Sequence, residues 1–241
     1  MKQLIQSLLR PLGYRLQDMQ KIGRDPWRDV QILLQSTPAP VCFDVGAHHG
    51  ETTQGIFAHF PQATVHAFEP DPENFAALQT ATRNLSRATL HPLALGDHLH
   101  QSKLLKTQFS QCNSLLPASA EMKSAAHQKI GEVAITVTTI DQFCLEHQIT
   151  TVDFLKTDCQ GLDLRVLKGG IKLLTGRRAQ VVQCESVFNS EYEGQGWFYE
   201  ILQFLTSLDY RPVSFGEPIR NAHHEIMFCD VIFKRREPAN R

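Results

Sequence analysis

The run Val41-Cys42-Phe43-Asp44-Val45-Gly46-Ala47-His48-His49-Gly50 constrains this chain more than any other feature, because His66-Ala67-Phe68-Glu69-Pro70-Asp71-Pro72 follows it. An apolar strand that stops at a glycine-bearing turn, a helix-like stretch, and a second strand that stops at a carboxylate make one βαβ unit of an α/β sheet. At the edge of such a sheet, the turn after the first strand holds one end of a nucleoside ligand and the acid after the second binds ribose hydroxyls. The glycines read G-x-x-x-G. A dinucleotide pyrophosphate calls for G-x-G-x-x-G, whose middle glycine admits the phosphate, and that position here is His48. The pattern points to a nucleoside ligand without a diphosphate.

S-adenosylmethionine has that chemistry, with an adenosine, a sulfonium, an amino acid and no phosphate. Asp44 is placed to face the ammonium and sulfonium end, and Glu69 to take two charge-assisted hydrogen bonds from the ribose diol. The same residues have a purely structural reading, in which the Asp-Val-Gly turn closes a strand and the Asp-Pro pair opens a helix.

With 241 residues and 42% hydrophobic content, one elaborated α/β domain is expected. A net charge of -1 gives no reason to expect a nucleic-acid partner, and Lys234-Arg235-Arg236 reads as a solvated tail. The six cysteines contain no C-x-x-C pair and read as buried free thiols in a reducing, cytoplasmic setting. No stretch approaches the roughly twenty apolar residues that span a bilayer. His48-His49 and His223-His224 are adjacent pairs that point apart on a strand, and without H-x-x-x-H spacing no metal site is expected.

Residues 1–38 read as an N-terminal helical extension, with Asp25-Pro26 opening a helix, and residues 39–241 as the main domain. From there strands and helices alternate: strand 41–46, helix 51–60, strand 64–69, helix 72–83 capped by Asp71, and strand 88–95 ending at Gly96-Asp97. A polar stretch from 101 to 139, with strands at 103–107 and 133–138 around Gln111-Cys112-Asn113-Ser114, reads as an insertion over the sheet edge. Alternation resumes with helix 140–147, strand 152–158, helix 162–174 and strand 180–185. An amphipathic helix follows, marked by Trp197, Ile201, Leu202, Leu205 and Leu208 with Trp197 on the core side, and then two strands at 210–215 and 225–234.

Several of these words, in order, resemble the FkbM-type methyltransferase family: Asp44-Val45-Gly46-Ala47, Phe68-Glu69-Pro70, Leu93-Ala94-Leu95-Gly96-Asp97, Val137-Thr138-Thr139-Ile140-Asp141 and Leu155-Lys156-Thr157-Asp158-x-x-Gly161. The resemblance runs from about 41 to 186. It implies a class I methyltransferase, Rossmann-like fold, a seven-stranded mostly parallel sheet in the order 3-2-1-4-5-7-6 with the last strand antiparallel and helices on both faces. It also implies S-adenosylmethionine as cofactor and a hydroxyl acceptor on a small molecule, a sugar unit or polyketide-like metabolite. Two positions depart from the family's words. Gln160 stands where the family has an acid, with the shorter Asp163 three residues on, and His48 stands where it has Asn.

Methyl transfer from a sulfonium requires alignment of the acceptor and somewhere for its proton to go. Asp158 and Glu185, at the ends of the fourth and fifth main strands, are candidate bases, with Lys156 on the face of Asp158. Asp158 also reads as the N-cap of the next helix, and Lys156 as a structural ion pair. The candidate cofactor residues are Asp44, Gly46, His48, Gly50, Glu69 and Pro70, with Asp97 toward adenine and Asn113 and Ser114 on the inserted loop. Homo-oligomerisation is left open. The rival readings are an NAD-dependent oxidoreductase and a catalytically silent protein that kept the fold.

Overall fold

The computed structural model describes residues 2–15, 18, 21–122 and 124–237. The elements are α1 (Lys2–Leu9), α2 (Pro26–Leu33), β1 (Val41–Val45), α3 (Glu51–His59), β2 (Thr64–Phe68), α4 (Pro72–Thr82), β3 (Ala88–His91), β4 (Ala94–Leu95), β5 (His100–Thr107) and β6 (Lys129–Thr138). They continue with α5 (Ile140–Glu146), β7 (Val152–Thr157), α6 (Asp163–Gly169), α7 (Ile171–Thr175), β8 (Ala179–Val187), α8 (Phe198–Ser207), β9 (Tyr210–Phe215), β10 (Ile219–Arg220) and β11 (Ile226–Arg235).

The main sheet runs β3-β2-β1-β7-β8-β11, with β9 and the short β10 paired to β11. β1, β2, β3, β7 and β8 are parallel, and β11 is antiparallel to both β8 and β9. This is the strand order expected of a class I methyltransferase sheet.

Alternation along β1 splits the core into two layers. Phe43 and Val45 face α5, α6 and α8 with Phe68, Leu155 and Val182, whereas Cys42 faces α2 and α3 with Val65, Phe154 and Val181. The helix starts follow the sequence. Asp25 accepts from the Trp27 and Arg28 amides, and Asp71 from those of Glu73 and Asn74, each ahead of a first-turn proline. All six cysteines are free thiols.

Four expectations need correction. The strand foreseen over 88–95 is two, because Pro92 supplies no ladder N–H. β4 beyond it leaves the main sheet and pairs with β6, which pairs in turn with β5 to form the inserted second sheet. The helix foreseen over 162–174 breaks at Gly169-Gly170, where a β-carbon on Gly169 would lie 1.9 Å from the Gly96 carbonyl oxygen. Trp197 is only half buried and caps α8 from outside, while Ile201 and Leu205 enter the core. Lys234 and Arg235 end β11 rather than beginning a tail, and an Arg235 guanidinium nitrogen bonds the Ala179 carbonyl at 3.3 Å.

Candidate active site

The ends of β1, β2, β7 and β8 open on a cavity of about 490 Å³, roofed by the inserted segment around residues 110–115. That volume lies within the range of small-molecule sites, and the position is where open α/β sheets hold their ligands. Gly46, at φ +80°, makes the convergence possible, since a β-carbon there would sit 1.9 Å from the Asp158 carbonyl oxygen. Two loops more than a hundred residues apart in sequence meet at this one residue.

Glu69 is buried and clamped. Its Oε2 accepts from the His48 amide at 2.9 Å and its Oε1 from the Asp71 amide at 2.9 Å. Burial pushes its pKa up to about 7 against the pull of these two amides. A carboxylate has about four lone-pair sites, so both oxygens keep acceptor capacity toward the cavity that Glu69 lines.

Four amides of the Gly46–Gly50 turn are spent inside the protein. Those of Gly46 and Ala47 donate to the Phe68 carbonyl at 3.0 and 2.9 Å, that of His48 to Glu69, and that of Gly50 to the Ala47 carbonyl at 2.8 Å. His48 sits at φ +47°, its Nε2 is 2.9 Å from Ser110 Oγ, and its ring stacks on His49 at 3.6 Å. The pair does not point apart as on a strand, because the left-handed turn folds one ring over the other. Glu51 completes a trio whose ligand atoms lie within 4.8 Å of one another. Ser110 and Asn74 already engage one nitrogen of each ring.

Asp44 does not open onto the cavity. It is fully buried, accepts from Thr53 Oγ1 at 2.6 Å, and its Oδ1 has no hydrogen-bond partner among the described residues. Burial raises its pKa, and Lys156 and Thr53 oppose the rise. Lys156 lies beside Asp44 in the β1–β7 register, and its Nζ donates to Asp158 Oδ2 at 3.1 Å. Burial works against this ammonium, yet Asp158, Asp44 and Asp230 together push its pKa above the usual lysine range.

Asp158 caps no helix, since the residue ahead of α6 is Leu162. Its carboxylate lines the cavity, and Gln160 ties it to Glu185 by donating from Nε2 to Asp158 Oδ1 at 2.9 Å and to Glu185 Oε2 at 3.3 Å. Gln160 Oε1 accepts from the Tyr192 hydroxyl at 2.8 Å. Burial, followed by the charges of Asp158, Asp163, Glu191 and Asp230, drives the Glu185 pKa well up.

The remaining foreseen residues divide. Pro70, Asn113 and Ser114 line the cavity, whereas Gly50 and Asp97 do not. Asn113 Nδ2 donates to Asp71 Oδ2 at 2.9 Å and Ser114 Oγ to the Gln160 carbonyl at 2.8 Å, so both anchor the roof to the sheet edge. Asp97 is exposed and pairs with His98 Nδ1 at 2.7 Å, because the chain turns away after β4. Sequence reasoning missed His127, Glu191 and Phe228, which reach the wall from the insertion, the loop after β8, and β11. Only their polarity inside otherwise irregular stretches marks the first two, and Phe228 reads as an ordinary strand residue.

Residues 44–212 match the Methyltransferase FkbM domain family. The chain is 24% identical over 219 residues to the 2-O-methyltransferase NoeI of Sinorhizobium fredii, covering 86% of this chain and 89% of that protein. It is 30% identical over 142 residues to Methyltransferase 1 of Beauveria bassiana, covering 52% of this chain and 56% of that one. The crystal structure of Methyltransferase FkbM from Methylobacillus flagellatus superposes with a TM-score of 0.54 at 17% identity, over 82% of this chain and 44% of that one. The low identity makes this last likeness one of fold. From the extent of the domain match, the chain is a methyltransferase of the FkbM family.

Proposed function

We propose that this methyltransferase uses S-adenosylmethionine and methylates a hydroxyl of a small polyhydroxylated molecule, a sugar unit or a glycosylated metabolite. The observation that carries the cofactor reading is the Gly46–Gly50 turn. The amides of Gly46, Ala47, His48 and Gly50 are already engaged, that of His48 by the Glu69 carboxylate, so a phosphate at the turn gains few donors from it and meets an acid beside it. A pyrophosphate-bearing dinucleotide is thereby disfavoured. The wall instead carries Glu51, Glu69, Asp158, Glu185 and Glu191, with Lys156 the one lysine or arginine among the lining residues. Burial pushes Glu69, Glu185 and Glu191 toward their protonated forms, and a cationic, phosphate-free ligand is the kind that draws their charge out.

S-adenosylmethionine, when bound, supplies a methyl group already activated on a sulfonium. Glu69 binds the ribose diol through its outward lone pairs. Leu93 and Leu95 give the wall an apolar flank that excludes water. At the far side Asp158, 34% exposed at its side chain where Glu185 beside it is buried, takes the proton of the acceptor hydroxyl as the methyl–oxygen bond forms and the methyl–sulfur bond breaks. Lys156 and Gln160 orient it from two directions and leave lone pairs free. The NoeI relative, by its name a 2-O-methyltransferase, supports oxygen as the acceptor atom.

Titration calorimetry tests this reading. S-adenosylhomocysteine is expected to bind with one site per chain and NAD not to bind. Binding of NAD with no binding of the homocysteine ligand rejects it.

A further inference from the structure

The beginning of the chain differs from the rest in charge. Residues 1–24 hold five basic residues, Lys2, Arg10, Arg15, Lys21 and Arg24, against the single acid Asp18, a formal +4. That leaves 19 basic against 24 acidic residues, a formal -5, for everything after them. Asymmetry of this kind within one chain marks the basic part for a polyanionic partner.

Apolar side chains are interleaved with these cations. α1 carries Ile5 and Leu8, and the single helical turn Arg10–Leu12 adds Leu12, at positions i, i+3 and i+7, with Tyr14 just beyond. Ile5 is 41% exposed, Leu8 66%, Leu12 70% and Tyr14 67%. No described residue from Ile5 to Arg24 is buried, and only Gln6 and Leu9 are partly covered. The fold leaves an apolar ridge in water, flanked by the exposed side chains of Arg10 and Arg15.

Three partners satisfy parts of this pattern. A nucleic acid neutralises the cations but leaves the leucines in water. A second copy covers the leucines but brings +4 onto +4. An anionic bilayer surface meets both needs, since aliphatic side chains and a tyrosine ring enter the headgroup–acyl boundary while lysines and arginines stay among the lipid phosphates.

We propose that residues 5–15 form a membrane-surface foot that docks the enzyme peripherally on anionic lipid. No helix among the described residues is long and apolar enough to cross a membrane, so the foot lies in the interface plane. Its apolar ridge is short, and binding is therefore weak and reversible. The proposal does not depend on the identity of the methyl acceptor.

The test is co-sedimentation of the full chain with vesicles of equimolar phosphatidylglycerol and phosphatidylcholine, compared with phosphatidylcholine alone. Each basic side chain near an anionic surface strengthens binding about fivefold, so Arg10→Gln/Arg15→Gln is expected to weaken it about 25-fold. Leu8→Ser/Leu12→Ser is expected to weaken it at least about tenfold, with the remaining cations holding it above the neutral vesicles. Both double variants keep the wild-type Tm and S-adenosylhomocysteine affinity, because the substituted side chains are exposed and lie outside the core and the cavity. Absence of sedimentation with the anionic vesicles overturns the proposal, as does undiminished binding by either double variant. So does a lipid-free dimer that Leu8→Ser/Leu12→Ser converts to monomer, which assigns the ridge to a second copy.

Discussion

Glu69 offers the sharpest test of how the cofactor is held. Its carboxylate is buried against two backbone amides and its pKa is pushed up to about 7, well above an ordinary glutamate. Ribose hydroxyls donate to the charged form, so below pH 7 the protein must release a proton from Glu69 in order to bind. With a pKa of about 7, affinity for S-adenosylhomocysteine should be about tenfold weaker at pH 6 than at pH 8, approaching tenfold per unit further down. The ligand's own amine and carboxylate also titrate, and Glu69→Gln removes that ambiguity. The amide loses the charge assistance of two hydrogen bonds, roughly 2–3 kcal/mol, which is about 30- to 150-fold in Kd at pH 8. It also places an N–H against one of the two backbone donors, so some of the loss is structural. That loss is independent of pH. The decisive quantity is the difference in slope between wild type and Glu69→Gln in calorimetric titrations from pH 5.5 to 8.5. Identical slopes refute the assignment of Glu69 to the ribose, whatever the absolute affinities.

Gly46→Ala combines a left-handed backbone with a β-carbon 1.9 Å from the Asp158 carbonyl oxygen, and should lower stability in urea by more than about 2 kcal/mol. An unchanged urea midpoint counts against the close approach of the two loops. His91, buried beside His66 and His147, has its pKa lowered to about 4 by burial and then by those two rings. Between pH 6.5 and 4 the unfolded chain binds a proton there that the folded chain refuses, so this residue's contribution falls as pH falls, by roughly 3 kcal/mol over the window. Buried acids such as Asp163, with a pKa raised to about 7, push the other way. The comparison is therefore His91→Gln against wild type, whose stability difference should shrink as pH drops from 7 to 4. Asp158→Asn should lower kcat at least about a hundredfold while S-adenosylhomocysteine affinity stays within about threefold of wild type. Equal losses in both identify Asp158 as a cofactor residue instead.

The sheet was legible because its determinants are local. Strand ends at Gly46, Glu69 and Asp158, caps at Asp25 and Asp71, and the two final strands each announce themselves within a few residues. What stayed hidden depends on contacts between distant segments. Asp44 and Glu69 both read as cofactor acids, yet only burial distinguishes them: Thr53 on α3 closes over Asp44 and leaves Glu69 at the wall. Asp97 looked equivalent to them as an acid after a strand, but Pro92 diverts its strand into the second sheet. Glu191 belongs to the site only because the loop after β8 folds back on the insertion, where Ser119 donates to its carbonyl at 2.8 Å.

Gln160 looked in the sequence like a lost acid and an argument for a silent protein. In the structure it is the donor that lets Asp158 and Glu185 stand side by side, with its amide nitrogen 2.9 and 3.3 Å from their oxygens and Tyr192 closing the other end at 2.8 Å. An acid at 160 has no N–H to give and sets a third carboxyl beside Asp158 and Glu185, the latter already pushed toward its protonated form by burial. Like charges at that range cannot all ionise, so the Gln160→Glu variant must hold one more proton within the cluster than the wild type does. The variant's folded pKa is then raised above the unfolded glutamate value, and the sign of the linkage follows. Its stability is closest to wild type near pH 5 and falls behind as pH rises to 8, because the extra proton is lost or retained at growing expense. Urea midpoints at the two pH values measure this, and a deficit that is equal at both, or larger at pH 5, refutes the bridging role. The amide at 160 is thus a pH-independent bridge between Asp158 and Glu185, and it holds Asp158 at the cavity wall for the role proposed for it.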